Sequence, residues 1–205
     1  MRYPLWLILF SILLPLNSSA NTPEKPAILV VGDSLSAAYG IAHKSGWVSL
    51  LQRRLTEKGY PHRVINASVS GDTTSAGLAR LPRAIRTHQP TIVIQVLGGN
   101  DGLRGLPLTH MQQNLAKMIT QIKAANAKVL LCAVRIPPNL GPDYATKFLA
   151  TYTQLATKHD IPLVPYLLKG VSDAGLMQKD GIHPTAQAQP FILNNVWPQL
   201  ELLLR

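Results

Sequence analysis

Ser34 stands in Gly32-Asp33-Ser34-Leu35, directly after the apolar run Ala27-Ile28-Leu29-Val30-Val31. A hydroxyl is therefore delivered at the C-terminal end of a buried strand, just before a helix, where open α/β sheets hold their ligands. A serine is a weak nucleophile until a base takes its proton. Near the other end of the chain, Asp180-Gly181-Ile182-His183-Pro184 supplies a base, His183, and a carboxylate to orient it. Asp180 lies three residues before His183 with a flexible Gly181 between them. A tight turn can bring its oxygen to the imidazole Nδ1–H and fix the useful tautomer.

Acyl transfer also needs donors aimed at the oxyanion that forms on the carbonyl oxygen. The Ser34 backbone N–H is one candidate. Gly71, in Ser68-Val69-Ser70-Gly71-Asp72-Thr73, is a second, through a backbone N–H that can approach closely because no Cβ intervenes. Asn100, in Gly98-Gly99-Asn100-Asp101-Gly102, is a third, through its side-chain amide. Each residue has an ordinary structural use: Ser34 as a helix N-cap, Gly71, Asn100 and Asp180-Gly181 as turn residues. Their conjunction, in this order and in loops that mostly follow strand-like runs, points to a nucleophilic serine hydrolase.

The elements that must position these residues alternate from residue 27 onward. Strands are predicted at Ala27 to Val31, Arg63 to Asn66, Thr91 to Leu97, Lys128 to Val134 and Pro162 to Pro165. The third and fourth are almost continuously apolar, as expected of central strands of a parallel sheet covered on both faces. Between them, Trp47, Leu50, Leu51 and Leu55, and Leu115, Met118, Ile119 and Ile122, repeat at helical spacing. Further helices are predicted over residues 74–88, 143–159 and the last twenty, with Pro190 and Pro198 expected to kink or break the final one. If the strand order is 2-1-3-4-5, the loops after the first three strands are neighbours and open on one crevice. Leu103, Leu106, Ile136, Pro137 and Ile182 fall on loops around that edge and could line an apolar acyl groove.

The chain has 205 residues and a formal net charge of +10, enough for one domain with a substantial core. Residues 1–20 read as a secretory signal: Arg2, an apolar run from Leu5 to Leu16, and small residues ending at Ala20. Cleavage after Ala20 would leave a basic hydrolase domain over residues 21–205, periplasmic or secreted, without a stable membrane anchor. The run is too short, and too interrupted by Ser11 and Pro15, for a spanning helix. Cys132 is the single cysteine, so no internal disulfide can form, and it reads as core filler. Basic residues are dispersed. Arg80, Arg83 and Arg86 share a helical face that reads as solvated, and no nucleic-acid partner is expected. The six histidines show no metal-ligand spacing.

At these motifs the chain resembles the SGNH (GDSL) hydrolases: Gly-Asp-Ser-Leu at 32–35, Gly71 in its loop, Gly-Gly-Asn-Asp at 98–101 and Asp-Gly-Ile-His-Pro at 180–184. The resemblance extends through residues 77–82, 102–106 and 188–192. It implies a flavodoxin-like α/β/α sandwich with a five-stranded parallel sheet and no metal or cofactor, and the chain is expected to act as a monomer on a small-molecule acyl ester or thioester. It further implies hydrolysis of acyl esters and thioesters through an acyl-Ser34 intermediate, as acyl-CoA thioesterase, lysophospholipase or arylesterase. Within the family, a carbohydrate O-acetylesterase is the alternative. A phosphate- or nucleotide-binding module fits less well, since the first loop holds neither G-x-G-x-x-G nor G-x-x-x-x-G-K-[ST] and would leave Asp180 and His183 without a use. The absence of G-x-S-x-G argues against an ordinary α/β-hydrolase, and a two-domain periplasmic binding protein would need a second domain.

Overall fold

Six consecutive buried residues, Ala27–Gly32, form the first strand, β1. The other strands of the computed structural model are β2 (Arg63–Asn66), β3 (Ile92–Val96), β4 (Lys128–Cys132) and β5 (Leu163–Val164). Residues 25–137 and 140–205 are described. The expected signal segment, residues 1–20, lies outside them. All pairings are parallel, and the five strands run in the order β2-β1-β3-β4-β5. Both faces of β1 and β3 are buried, which is why their sequences run apolar without alternation.

Among the described residues, six α-helices flank the sheet: α1 (Trp47–Glu57), α2 (Thr74–His88), the short α3 (Gly99–Leu103), α4 (Leu108–Ala124), α5 (Pro142–His159) and α6 (Gln189–Glu201). α1 packs beside α6, while α4 packs between α2 and α5, giving the three layers. Trp47, Leu51 and Leu55 on α1 are fully buried, as are Leu115, Met118, Ile119 and Ile122 on α4. Cys132 is buried in β4, as its surroundings in the sequence suggested.

Three expectations are corrected. No regular helix follows Ser34. The chain instead passes through turns held by Ser36 and Ala37 N–H on the Asp33 carbonyl, with Ala38 at φ 60°. The final helical region is not broken: Pro190 lies in the first turn of α6, where a missing N–H costs nothing, and the helix continues across Pro198. Arg80 does not belong to a solvated stripe. Its Nε donates to Asp72 Oδ2 at 2.7 Å and its Nη1 to the Ala67 carbonyl at 2.7 Å, while Arg83 and Arg86 are exposed.

Candidate active site

Ser34 sits two residues past the end of β1, the strand with β2 on one side and β3 on the other. The turn that carries it is tied down locally. Asp33 Oδ1 accepts the Leu35 N–H at 3.0 Å, and Trp47 Nε1 donates to the Leu35 carbonyl at 3.2 Å, locking the turn onto the start of α1. The hydrogen bonds of the turn use the N–H groups of Leu35, Ser36, Ala37 and Tyr39, and leave that of Ser34 out.

Asp180 and His183 arrive on a hairpin-like loop closed by an antiparallel bridge between Met177 and Pro184. Gln178 N–H donates to the His183 carbonyl at 2.7 Å inside this loop. The Gln178 side-chain amide reaches across to the Tyr39 carbonyl at 2.9 Å, joining the loop to the Ser34 turn. The His183 Nδ1–Asp180 Oδ2 distance is 2.7 Å, and His183 Nε2 lies 2.9 Å from Ser34 Oγ.

The direction of these bonds follows from Asp180. Its Oδ1 accepts the N–H groups of His183 (3.0 Å) and Ile182 (2.9 Å). The His183 backbone N–H, then the imidazole bond, then the Ile182 N–H hold its carboxyl down to about 2. An ionised carboxylate only accepts, so Nδ1 carries the imidazole proton and Nε2 is left as the acceptor for the Ser34 O–H. The ring of Tyr39 lies 4.4 Å from that of His183, centroid to centroid, tilted by 36°.

Asn100 lies in α3, which begins directly past β3, and lines the same cleft as Ser34. Its Nδ2 donates to the Asp72 carbonyl at 3.0 Å and lies 3.5 Å from Asp33 Oδ2. Asp101, the next residue, is buried and accepts the N–H (2.8 Å) and hydroxyl (2.6 Å) of Thr74, the first residue of α2. The carboxylate thereby satisfies an otherwise orphaned donor at a helix N-terminus. Arg104 closes the set by donating to the Gly71 carbonyl at 3.1 Å.

Gly71 is exposed and does not line the cleft itself. A Cβ at this position would meet nothing within 4 Å, but the backbone is at φ +85°, which side-chain-bearing residues rarely adopt. The Gly71 loop is held beside Asn100 by the Asp72 carbonyl, and from the far side by Arg80 on Asp72 and Ala67.

The cleft has a volume of about 400 Å³. Of the residues expected to form an acyl groove, Leu103, Ile136, Pro137 and Ile182 line it, with Leu35, Val134 and Leu168 adding apolar wall. Leu106 does not. It borders a separate hollow with Pro107 and His110, because the chain has already turned away from the crevice to begin α4.

Sequence reasoning passed over Tyr39, Gln178, Arg104 and Asp33 as parts of the site. Asp33 stands inside the Gly-Asp-Ser-Leu motif, yet only its burial distinguishes it. Desolvation pushes its carboxyl from an ordinary 3.8 up to about 6, against the Leu35 N–H bond and the nearby His183. Among the described residues, no group of three or more His, Cys, Asp or Glu is placed to hold a metal ion.

Comparison with known proteins gives the family and the fold. Residues 30–189 match the family model described as GDSL-like Lipase/Acylhydrolase family. The chain is 50% identical over 194 residues to Esterase TesA of Pseudomonas aeruginosa, covering 94% of each protein. It is 42% identical over 197 residues to thioesterase 1/protease 1/lysophospholipase L1 of Escherichia coli, covering 96% of this chain and 91% of that one. Among solved structures, TesA superposes with a TM-score of 0.84 at 51% identity, covering 86% of this chain and 99% of that one. The psychrotrophic esterase EstA from Pseudoalteromonas, in a structure inhibited by monoethylphosphonate, gives 0.82 at 39% identity, with 87% and 98% covered. With most of its length matched by the family model and relatives this similar over nearly the whole chain, the chain belongs to the GDSL-like lipase/acylhydrolase family.

Proposed function

We propose that the protein is a serine esterase that hydrolyses acyl esters and thioesters through an acyl-Ser34 intermediate. The observation that carries this reading is the unbroken line from Ser34 Oγ through His183 to Asp180 at 2.9 and 2.7 Å. Ser34 Oγ attacks the substrate carbonyl carbon while His183 Nε2 takes its proton. The carbon–oxygen or carbon–sulfur bond then breaks as the imidazolium returns that proton to the leaving group. Water attacks the acyl-serine in the second half-reaction, again losing its proton to His183, and the carboxylic acid departs from a restored Ser34. Asp180 stays ionised throughout and stabilises the imidazolium.

The Ser34 N–H, the Gly71 N–H and the Asn100 side-chain amide are assigned to the oxyanion. Leu103, Ile136 and Ile182 are assigned to the acyl chain. A wall this apolar suits an aliphatic or aromatic acyl group better than the polar sugar of a carbohydrate O-acetylesterase. The names of the relatives, esterase and thioesterase 1/lysophospholipase L1, support the same reaction class. The N-terminal segment supports export with cleavage after Ala20, and a site built within one chain supports action as a monomer. No helix among the described residues is long and apolar enough to cross a membrane.

The test expresses the full chain in a bacterial host. The exported protein should begin at Asn21 by intact mass and hydrolyse p-nitrophenyl esters, acyl-CoA or lysophospholipid across a graded chain-length panel. Ser34→Ala should fold and lose that hydrolysis by about 10⁴-fold or more. A Ser34→Ala protein that retained it would overturn the mechanism.

A further inference from the structure

Among the described residues, the large apolar side chains left in solvent gather on one edge of the molecule. Tyr39 and Val69 lie in the segments after β1 and β2, and the Val69 N–H bonds the Gly32 carbonyl at the end of β1. Leu103 and Ile182 stand exposed in the cleft wall itself. Leu106 and Leu140 follow β3 and β4, and Phe191 lies in the first turn of α6. In a parallel sheet covered by helices, strands end and the helices between them begin at the same edge, so these residues share the edge on which the cleft opens. The opposite edge turns through Lys58-Gly59, Gln89-Pro90 and Ala125-Asn126, and carries Leu202 alone of this exposed set.

Charge on the catalytic edge is just as uneven. Most of its carboxylates are buried or paired: Asp33 and Asp101 are buried, Asp72 and Asp143 pair with Arg80 and Lys147, and Asp180 keeps its charge beside the neutral His183. Asp173 is exposed there and, among the described residues, makes no ion pair. Against it stand Lys44, Arg104, Arg135, Lys169 and Lys179, which are exposed and, among the described residues, make no ion pair. Arg135 is held over the Tyr166 ring, 4.4 Å from its centroid, at the cleft wall.

An apolar rim set among unneutralised cations matches a bilayer surface carrying negative headgroups. We propose that the catalytic edge docks reversibly on an anionic lipid surface and draws its acyl substrate from it. This rests on the esterase reading and gives it a substrate source: an acyl chain can pass from the bilayer into the apolar cleft without crossing water. A second copy of the chain is a poorer occupant, since the same cations would face one another across a symmetric interface.

The binding test uses the processed Ser34→Ala protein, so that no lipid is hydrolysed, and co-sedimentation with vesicles. Vesicles of equal phosphatidylglycerol and phosphatidylcholine should bind at least about tenfold more tightly than phosphatidylcholine alone, and raised salt should abolish the difference. Leu140→Ser with Phe191→Ser, or Lys44→Glu with Lys169→Glu, should each weaken that binding about tenfold or more. With Ser34 intact, the Leu140→Ser/Phe191→Ser protein should hydrolyse soluble p-nitrophenyl butyrate within about twofold of the parent. The same protein should release fatty acid from lysophospholipid in anionic vesicles at least about fivefold more slowly. No binding to the anionic vesicles at low salt, or equal binding by both double variants, would overturn the proposal. So would a dimer in sedimentation that Leu140→Ser/Phe191→Ser disperses, because the patch would then join copies. Failure of the esterase reading would appear separately, as ester hydrolysis surviving Ser34→Ala.

Discussion

At the residue scale, the reactive line depends on which groups can only accept a hydrogen bond. Asp180, held ionised by two backbone N–H groups and the imidazole, leaves His183 Nε2 no role but acceptor toward Ser34. Asn100 is placed differently, since its amide already donates to the Asp72 carbonyl and keeps a second N–H near Asp33 at a long 3.5 Å. That second donor can turn to an oxyanion when one forms. Asn100→Ala should therefore lower kcat about a hundredfold with little change in KM, equivalent to about 3 kcal/mol of transition-state stabilisation. A raised KM at constant kcat would make Asn100 a ground-state binding group instead.

Asp33 gives a pH signature that can be worked through by sign. Its folded value, about 6, is above the ordinary 3.8, so the folded chain holds this proton more tightly than the unfolded one. Its stabilising contribution is complete below about pH 4 and is lost as pH rises through about 6. Asp33→Asn keeps an oxygen for the Leu35 N–H and removes the titration. The stability of the wild-type protein relative to this variant, from urea midpoints, should fall between pH 4 and 7 by up to about 3 kcal/mol. A constant difference across that range would contradict the burial argument.

At the element scale, the strands were legible because a parallel sheet covered on both faces forces continuous apolar runs, and 27–31 and 128–134 could hardly be read otherwise. The strand ends were less so. Pro162 and Pro165 bound the run that became β5, and neither has an N–H for the ladder, so the strand shrinks to Leu163–Val164. The turns after Ser34 were read as helix because Ser-Ala-Ala-Tyr carries no breaker of its own. Contacts distant in sequence decide there: Trp47 on the Leu35 carbonyl and Gln178 on the Tyr39 carbonyl. Leu106 was misplaced for a related reason, since spacing along a loop does not show where the chain turns away.

The junction of β3 and α3 offers a sharp test at this scale. Gly98 is at φ +115°, and an added Cβ would stand 2.2 Å from the Tyr152 hydroxyl, which donates to the Leu97 carbonyl at 2.9 Å. Gly98→Ala should destabilise the protein by about 2–3 kcal/mol, and Tyr152→Phe by about 1 kcal/mol. The two together should cost less than their sum, because removing the hydroxyl removes the clash. Strict additivity in thermal or urea unfolding would show that the steric account is wrong.

For the whole molecule, the order β2-β1-β3-β4-β5 brings residues 34, 71 and 100 to neighbouring strand ends, and the Met177–Pro184 loop folds back over them with Asp180 and His183. The sequence motifs made this convergence readable because each lies just past a strand or in a turn of its own. The bonds that hold the loops to one another could not be read, since Arg80, Arg104 and Gln178 carry no pattern that marks them before the fold exists.

The central claim is that Ser34 is a nucleophile made reactive by His183. Treatment with one equivalent of an alkyl p-nitrophenyl phosphonate tests it directly, by intact mass and peptide mapping. One adduct per chain should form on Ser34 with release of one p-nitrophenol, none in Ser34→Ala, and formation at least about a hundredfold slower in His183→Ala. An adduct on another residue, or undiminished labelling of His183→Ala, would contradict the account.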